Sequence, residues 1–303
     1  MAIDVPVTTL QATGAVARRQ LFSRASRWIF LVATMLGVLI LLFLAYDIIR
    51  VGGGTLSWDF LTNYPSRIPA RAGLRSGILG WLWVMGVTIA LAIPIAIGTA
   101  IYITEFAPKG RILTVIELNL SNLAGVPSII YGILGLAVFT RGVEFGGIQL
   151  IPALGPSILA GSLTLAIMIL PMTVIASVEA IRQVPPSIRD GSLALGATRW
   201  QTVWYHTLPG AVPGITTGTI LAISRAAGET AALIMIGAFA VISFDPTSVN
   251  DDFTTAPIQI YRWTTEPGDR FLGNAAAAII VVMVFILSLN LVAIAIRERF
   301  RRR

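Results

Sequence analysis

Residues 179–213 read EAIRQVPPSIRDGSLALGATRWQTVWYHTLPGAVP. After the N-terminal tail this is the longest segment that neither suits hydrocarbon nor forms a merely basic end. Pro185 and Pro186 stop the preceding helix, because each lacks a backbone donor and its ring clashes with the turn before it. The remainder of the stretch reads as helix, turn, helix. Ser187 to Leu195 is one short helix, Gly196 supplies the permissive backbone of the turn, and Ala197 to Thr207 is a second helix that Pro209 and Gly210 end. Leu193, Leu195, Trp200, Val203 and Trp204 recur at helical spacing, which predicts an apolar face to bury and a wet polar one.

The spacing is that of a known element. An acidic-small-small triplet, Asp190-Gly191-Ser192, is followed by Gly196 and then by Leu208-Pro209. This resembles the cytoplasmic "EAA" loop of ABC-importer permeases, with Asp-Gly-Ser in place of Glu-Ala-Ala and His206 where an aliphatic residue is usual. In that family the loop is a helix seated in a groove of a separate ATPase subunit. The resemblance thus implies ATPase coupling through Asp190, Gly191, Ser192, Ala194, Gly196, Ala197, Arg199, Leu208 and Pro209. A generic interfacial hairpin between two spans is the plainer alternative.

Composition agrees with a membrane setting. The 303 residues are 55% hydrophobic and only 12% charged, with a mean hydropathy of +0.81, which describes a polytopic membrane protein and not a soluble domain. The absence of cysteine excludes a disulfide framework, a thiol nucleophile and any cysteine metal site. A single histidine, His206, removes most imidazole chemistry. The net charge of +7 suits positive-inside topology better than nucleic-acid binding, because the arginines sit at the ends of apolar runs.

Those runs give six spans and an all-α fold. Residues 1–27 form a polar tail whose Arg18, Arg19, Arg24 and Arg27 precede the first span, Trp28 to Tyr46. At about 19 residues that run is long enough to cross, and it lacks the cut site of a signal peptide. The second span is Ile78 to Ile103, with a kink expected at Pro94. Between these two lies an irregular outer stretch in which Arg67, Arg71 and Arg75, at i, i+4 and i+8, could line one helical face. Such a row is a solvated face or a contact for an acidic partner. Ile112 to Asn122 carries Glu117, Asn119, Ser121 and Asn122, too polar for lipid. It reads as a helix packed on protein or lying at the interface, ended near Pro127. The third span, Pro127 to Phe139, is short. Ser157 to Val178, holding Pro171, is the fourth, Ile215 to Ser243 the fifth and Ala275 to Ile296 the sixth. A basic tail, residues 297–303, closes the chain.

With both termini in the cytoplasm, basic residues favour the inner segments by roughly two to one, as positive-inside topology requires. That orientation places the 179–213 loop in the cytoplasm. The tryptophans Trp28, Trp58, Trp81, Trp83 and Trp263 read as interface anchors. Asp251-Asp252, with Asp245, Glu266 and Asp269, matches no calcium loop and reads as solvated acids.

One arginine falls inside a span. Arg225 lies ten residues past Ile215, so about 15 Å deep at the helical rise, where a charge costs about 2.5 to 3.5 kcal/mol on insertion scales. Glu229, one turn on at i+4, is the expected partner. The two are either a structural pair or the wall of a translocation path that also includes Thr230. Guanidinium donors match a tetrahedral oxyanion. A carboxylate beside them accepts a hydrogen bond from a protonated oxyanion such as hydrogen phosphate. Gly228, between them, permits close approach of another backbone.

Further stretches narrow the resemblance: FLTNYPSRIPARAGLRSG (60–77), IYITEFAPKGR (101–111), NLAGVPSIIYGILGL (122–136), SRAAGETAALI (224–234) and TTAPIQIYRWT (254–264). Together they are similar to the phosphate-specific, PstA-type branch of these permeases, whose membrane arginine and following glutamate map onto Arg225 and Glu229. The resemblance implies a type I, MetI-like permease fold in the bacterial inner membrane and a substrate of inorganic phosphate. It also implies a homologous second permease, two ATPase subunits and an extracytoplasmic phosphate-binding protein as partners. Another oxyanion, molybdate or sulfate, is the alternative cargo. ATP would be bound by the partners and no cofactor by this chain, since a Walker A loop needs Gly-Lys followed by Ser or Thr. The one lysine, Lys109, sits between Pro108 and Gly110. An ion-coupled secondary transporter would want inverted repeats and paired broken helices, and an intramembrane protease a base or an HExxH metal site; neither is evident.

Overall fold

The computed structural model describes residues 14–238 and 241–301. Residues 1–13 of the expected tail, Phe239 and Ala240 of the expected fifth span, and Arg302 and Arg303 lie outside the described residues. The chain divides into a unit through Arg50 and a unit from Val51 onward. From Ala15 onward the first unit lies in α1 (Ala15–Gly52), longer at both ends than hydropathy predicts, because residues 15–27 and 47–51 contain no glycine or proline.

The second unit opens with α2 (Trp58–Thr62), whose N-cap Ser57 accepts from the Phe60 amide at 3.2 Å. A single 3₁₀ turn, Pro69–Arg71, leads to α3 (Arg75–Ile101), which ends in a π turn over Tyr102–Phe106. Then come α4 (Arg111–Ala124) and α5 (Ser128–Gly135) with a π turn over Leu136–Thr140. The pair is bent by 99° at Gly125–Pro127, which removes a donor and a helical dihedral at the same point. A hairpin, β1 (Val143–Phe145) and β2 (Ile148–Ile151), precedes α6 (Ile158–Arg182). The 179–213 loop gives α7 (Pro186–Ala194), α8 (Arg199–Thr202), a π turn over Val203–Thr207 and α9 (Leu208–Ala227). Last come α10 (Ala231–Ile236), α11 (Ala256–Thr265) and α12 (Leu272–Arg301). Among the described residues four helices are long and apolar enough to cross a membrane, or five if the bent pair α4–α5 is one span. Six crossings fit if the broken α9–α10 also counts once.

α6 is the centre of the second unit, packed between α3 and α9, with α12 on the far side of α9. Two polar exchanges lock α3 to α6: Thr88 Oγ1 donates to Ser162 O at 3.3 Å, and Ser162 Oγ donates to Val84 O at 3.2 Å. Small residues set the α6–α9 distance. Gly214 and Gly218 on α9 face Ala180 and Ala176 on α6, and a Cβ at Gly214 would lie 2.7 Å from the Ala180 methyl. Without a hydrophobic drive between helices in lipid, such close backbone approach is what holds them. Ser224 Oγ donates to Asn290 Oδ1 at 2.8 Å, joining α9 to α12.

Several expectations need correction. Arg67, Arg71 and Arg75 share no helical face, since Pro65 and Pro69 keep the stretch irregular. Trp81 and Trp263 are buried core residues and not interface anchors, while Trp28 and Trp58 are exposed. Pro209 and Gly210 do not end the helix begun at Arg199. The π turn closes with Leu208 N–H on Val203 O, and that wider turn absorbs the ring of Pro209, so helix runs on into α9.

Arg75 instead anchors the segment after α10. Its Nε donates to Asp245 Oδ1 at 2.8 Å and its Nη2 to Oδ2, while Tyr64 OH donates to Oδ1 at 3.1 Å. The guanidinium also stacks 5.3 Å from the Tyr64 ring centre. Hydrogen bonding to Arg75, helped by Tyr64 and opposed by desolvation, holds the Asp245 carboxyl below the ordinary carboxylate range. A lowered native value stabilises the fold fully above the unfolded carboxyl pKa of about 3.9, and that contribution is lost as pH falls through the native value. The melting midpoint of Asp245→Asn should therefore lie below that of the parent at pH 7, with the gap closing below about pH 4. A gap independent of pH would show that the charge is not what matters.

Candidate translocation and coupling sites

The first site is a break in the expected fifth span. α9 ends at Ala227, with Gly228 as its C-cap and Glu229 N–H on Ala226 O at 3.1 Å. The freed groups find partners inside the protein. Trp81 Nε1, about 9 Å along α3 from Arg75 at the helical rise, donates to Ala227 O at 2.9 Å. Glu229 Oε1 accepts the Ala232 amide at 3.1 Å, capping α10, and Thr230 Oγ1 donates to Gly228 O at 3.4 Å. Irregular backbone within a membrane protein persists where neighbours satisfy it in this way. α5 closes over the break, with Gly132 against the Ala232 backbone, where a Cβ would meet Ala232 Cα at 2.7 Å.

The expected i,i+4 pair is therefore not formed. Gly228 ends the helix between Arg225 and Glu229, and the carboxylate is engaged at the start of α10. Arg225 is exposed on this chain and, among the described residues, has neither an ion pair nor a hydrogen bond. Tyr131 of α5 donates its hydroxyl to Leu123 O at 2.8 Å. Glu229 and Thr230 are half-buried on the same break, so the fold brings all three residues to one place while leaving the guanidinium unspent.

The second site is the loop from α7 to α9. Pro186 stands at the first turn of α7, where its missing N–H costs nothing. Gly196 ends that helix in the left-handed region at φ +85, with its amide on Leu193 O at 3.0 Å and that of Ala197 on Ser192 O at 3.2 Å. Thr198 and Gln201 then form a capping box: Gln201 N–H reaches Thr198 Oγ1 at 3.2 Å and Thr198 N–H reaches Gln201 Oε1 at 2.8 Å. Ser192 is buried and its Oγ lies 2.9 Å from Thr202 Oγ1, tying α7 to α8. Asp190, Gly191, Ala194, Arg199 and Pro209 are exposed, while Ala197 and Leu208 are half-buried. His206 is exposed on the π turn.

The apolar face expected to be buried is mostly open on this chain. Val203 is buried, but Leu195 is 91% exposed and Trp200 57%, with Leu193, Trp204 and Tyr205 also open. Helical spacing identified the face, but it presents most of its apolar area outward. Large apolar side chains gathered on an exposed loop mark a protein–protein or membrane contact surface.

Two ion pairs near this loop escape a reading of the sequence. Arg189 joins α7 to Glu105 at the end of α3, and Arg182 at the end of α6 joins Glu117 of α4. Isolated charges at the ends of apolar runs read as topology markers, and partners 84 and 65 positions apart leave no local pattern. The small-xxx-small spacing of Ala176, Ala180, Gly214 and Gly218 is the signal that could have placed α6 on α9.

Residues 92–303 match the model of the family described as "Binding-protein-dependent transport system inner membrane component". The chain belongs to that family. Over 232 residues the permease is 32% identical to the probable ABC transporter permease protein YqgI of Bacillus subtilis (strain 168), covering 77% of this chain and 76% of that one. It is 30% identical over 271 residues to the phosphate transport system permease protein PstA 1 of Mycobacterium tuberculosis (strain CDC 1551 / Oshkosh), covering 88% and 85%. A solved bacterial alginate ABC transporter in complex with its pentasaccharide-bound periplasmic protein superposes with a TM-score of 0.65 at 19% identity, over 93% of this chain and 96% of that chain. The MetNI methionine ABC transporter superposes with a TM-score of 0.57 at 16% identity, over 74% and 94%. The fold is that of the MetI-like permeases, and the protein is an inner-membrane permease of the ABC-importer class, a class whose members are transport subunits and not enzymes.

Proposed function

We propose that this permease forms half of the path of an ATP-driven phosphate importer. The observation that carries the reading is Arg225, a guanidinium presented at a helix break with no partner among the described residues. An unpaired charge in such a segment costs about 2.5 to 3.5 kcal/mol unless water or a ligand meets it. Its forked donors suit a tetrahedral oxyanion, and Glu229, with Oε1 held by the Ala232 amide, keeps Oε2 for the proton of hydrogen phosphate. Likeness to the PstA protein of M. tuberculosis over most of both chains supports phosphate ahead of sulfate or molybdate. Competition of phosphate uptake by sulfate and molybdate separates them.

The exposed face of α7 and α8 is the seat for a separate ATPase subunit, one on this chain and one on a homologous second permease. Closure of the two ATPases on ATP moves α7. Because α6 leads into α7 and α9 comes after α8, that displacement tilts both spans and changes the side from which Arg225 is reached. An extracytoplasmic binding protein delivers the phosphate to the opposite end, and both termini of the chain are cytoplasmic.

Gly196 tests the coupling. A Cβ there meets nothing within 4 Å, so space is no obstacle. A left-handed φ costs an ordinary residue about 1 kcal/mol, and a bulky side chain would project into the docked partner. Gly196→Trp should leave the complex assembled while phosphate moved per ATP hydrolysed falls about ten-fold or more, ten-fold corresponding to 1.4 kcal/mol. Transport at the parental ratio would count against this role.

A further inference from the structure

α7 is joined through the chain to α6 on one side and, through α8, to α9 on the other. α3, the other long helix packed on α6, has no such connection to it. The residue that bridges the gap is Arg189. Its Nε donates to Glu105 Oε1 at 2.9 Å, and its Nη2 lies 2.9 Å from the same oxygen. The rest of the guanidinium is spent on the end of α6: Nη1 donates to Val184 O at 2.7 Å and Nη2 to Ile181 O at 2.8 Å. Ile181 O, which also accepts the Val184 amide at 3.2 Å, lies in the last turn of α6 and Val184 O just past its end, where a cation is favoured. The side chains of Arg189 and Glu105 are only 20% and 13% exposed. This is thus no loose surface pair but a largely desolvated, charge-assisted junction.

We infer that Arg189 and Glu105 are positioning residues that carry the displacement of α7 to α3. The inference rests on the coupling role proposed above and extends it to a span that the chain connection cannot pull. Glu105 lies in the π turn Tyr102–Phe106, so its carboxylate hangs directly on the last turn of that span. One guanidinium therefore holds α7, the end of α3 and the end of α6 as one body. The Phe106 and Trp200 rings, 6.3 Å apart, lie beside the junction and link α3 to α8 by an apolar contact that a shear can slide. The ion pair is directional and holds register. The Thr88–Ser162 exchange ties α3 to α6 about 25 Å away at the helical rise, so without the ion pair the Glu105 end of α3 is free to slide against α7.

The test uses the full complex of this chain with its second permease, ATPase and binding protein in vesicles. Glu105→Gln should leave the complex assembled and hydrolysing ATP, with phosphate delivered per ATP reduced at least ten-fold. Arg189→Lys, which retains charge but loses the fork, should fall between. Glu105→Asp, which keeps the carboxylate and leaves Arg189 on the Val184 and Ile181 carbonyls, should recover part of the transport ratio while the melting midpoints of Glu105→Gln and Glu105→Asp stay equal, which a merely structural role would not produce. Because the chain has no cysteine, spin labels at Lys109→Cys and Ser187→Cys report the distance between α7 and the turn that follows the π turn of α3. That distance should be narrow and unchanged by ATP in the parent, and broadened in Glu105→Gln. Parental transport ratio and parental distance in Glu105→Gln would overturn the inference. A parent complex that hydrolyses ATP without moving phosphate, while the label distance stays narrow in the parent and broadens in Glu105→Gln, would instead remove the phosphate reading and leave the junction standing.

Discussion

Gly218→Leu is expected to produce the largest loss of stability of any single substitution along α9. A Cβ at Gly218 already falls within hard contact of the Ala176 methyl, and the leucine would add three further carbons at the closest approach of α9 and α6. Overpacking in a fitted core costs about 1–3 kcal/mol and sometimes more. Here the neighbour is the centre of the bundle, and α9 is also held to α12 through Ser224 and Asn290, so separation at one seam disturbs the other. A fall of roughly 5–10 °C in the melting midpoint of the purified permease is expected, at about 2–4 °C per kcal/mol for a chain of this order. Gly218→Ala should cost less, and Ala176→Gly should return most of that smaller loss, because it empties the space the new methyl needs. A parental midpoint for Gly218→Leu would mean that the α6–α9 seam is not tight.

Arg225→Ala should abolish most phosphate uptake while leaving folding intact. The guanidinium has no protein partner among the described residues, so its removal strands no buried acid and breaks no local bond. That separates it from a structural pair, whose truncation costs about 3–5 kcal/mol of stability. If Arg225 meets the anion in a largely dry path, losing a charged hydrogen-bonding partner costs about 2–5 kcal/mol, or roughly 30- to several-thousand-fold at 1.4 kcal/mol per decade. Arg225→Lys should sit between, keeping the charge and losing the fork. Uptake and melting midpoint are to be measured together. Loss of both in parallel would return Arg225 to a packing role, and unchanged uptake would remove it from the path.

Features of this protein are legible in its sequence where their cause is local. The turn at Gly196 comes from residues within a few positions, because a left-handed cap and a Thr-x-x-Gln box are short-range chemistry. The bend at Gly125–Pro127 is of the same kind. The expectation of an Arg225–Glu229 pair fails because four-residue spacing implies proximity only while the helix continues, and Gly228 stops it there. The Trp200 face that the sequence marks for burial is open on this chain, because periodicity says which side chains cluster and not what covers them.

Composition, the positions of the apolar runs and the Asp190–Gly196–Pro209 spacing were sufficient for a helical polytopic membrane permease with a wet hairpin between spans. Hydropathy and motif spacing act over one to four turns of chain, so they survive in one dimension. Packing alone decided that Trp81 holds the break at Gly228 through Ala227 O, that α6 is the centre, and that Arg189 holds Glu105. Each depends on groups tens of residues apart meeting within about 3 Å, the range over which a hydrogen bond acts.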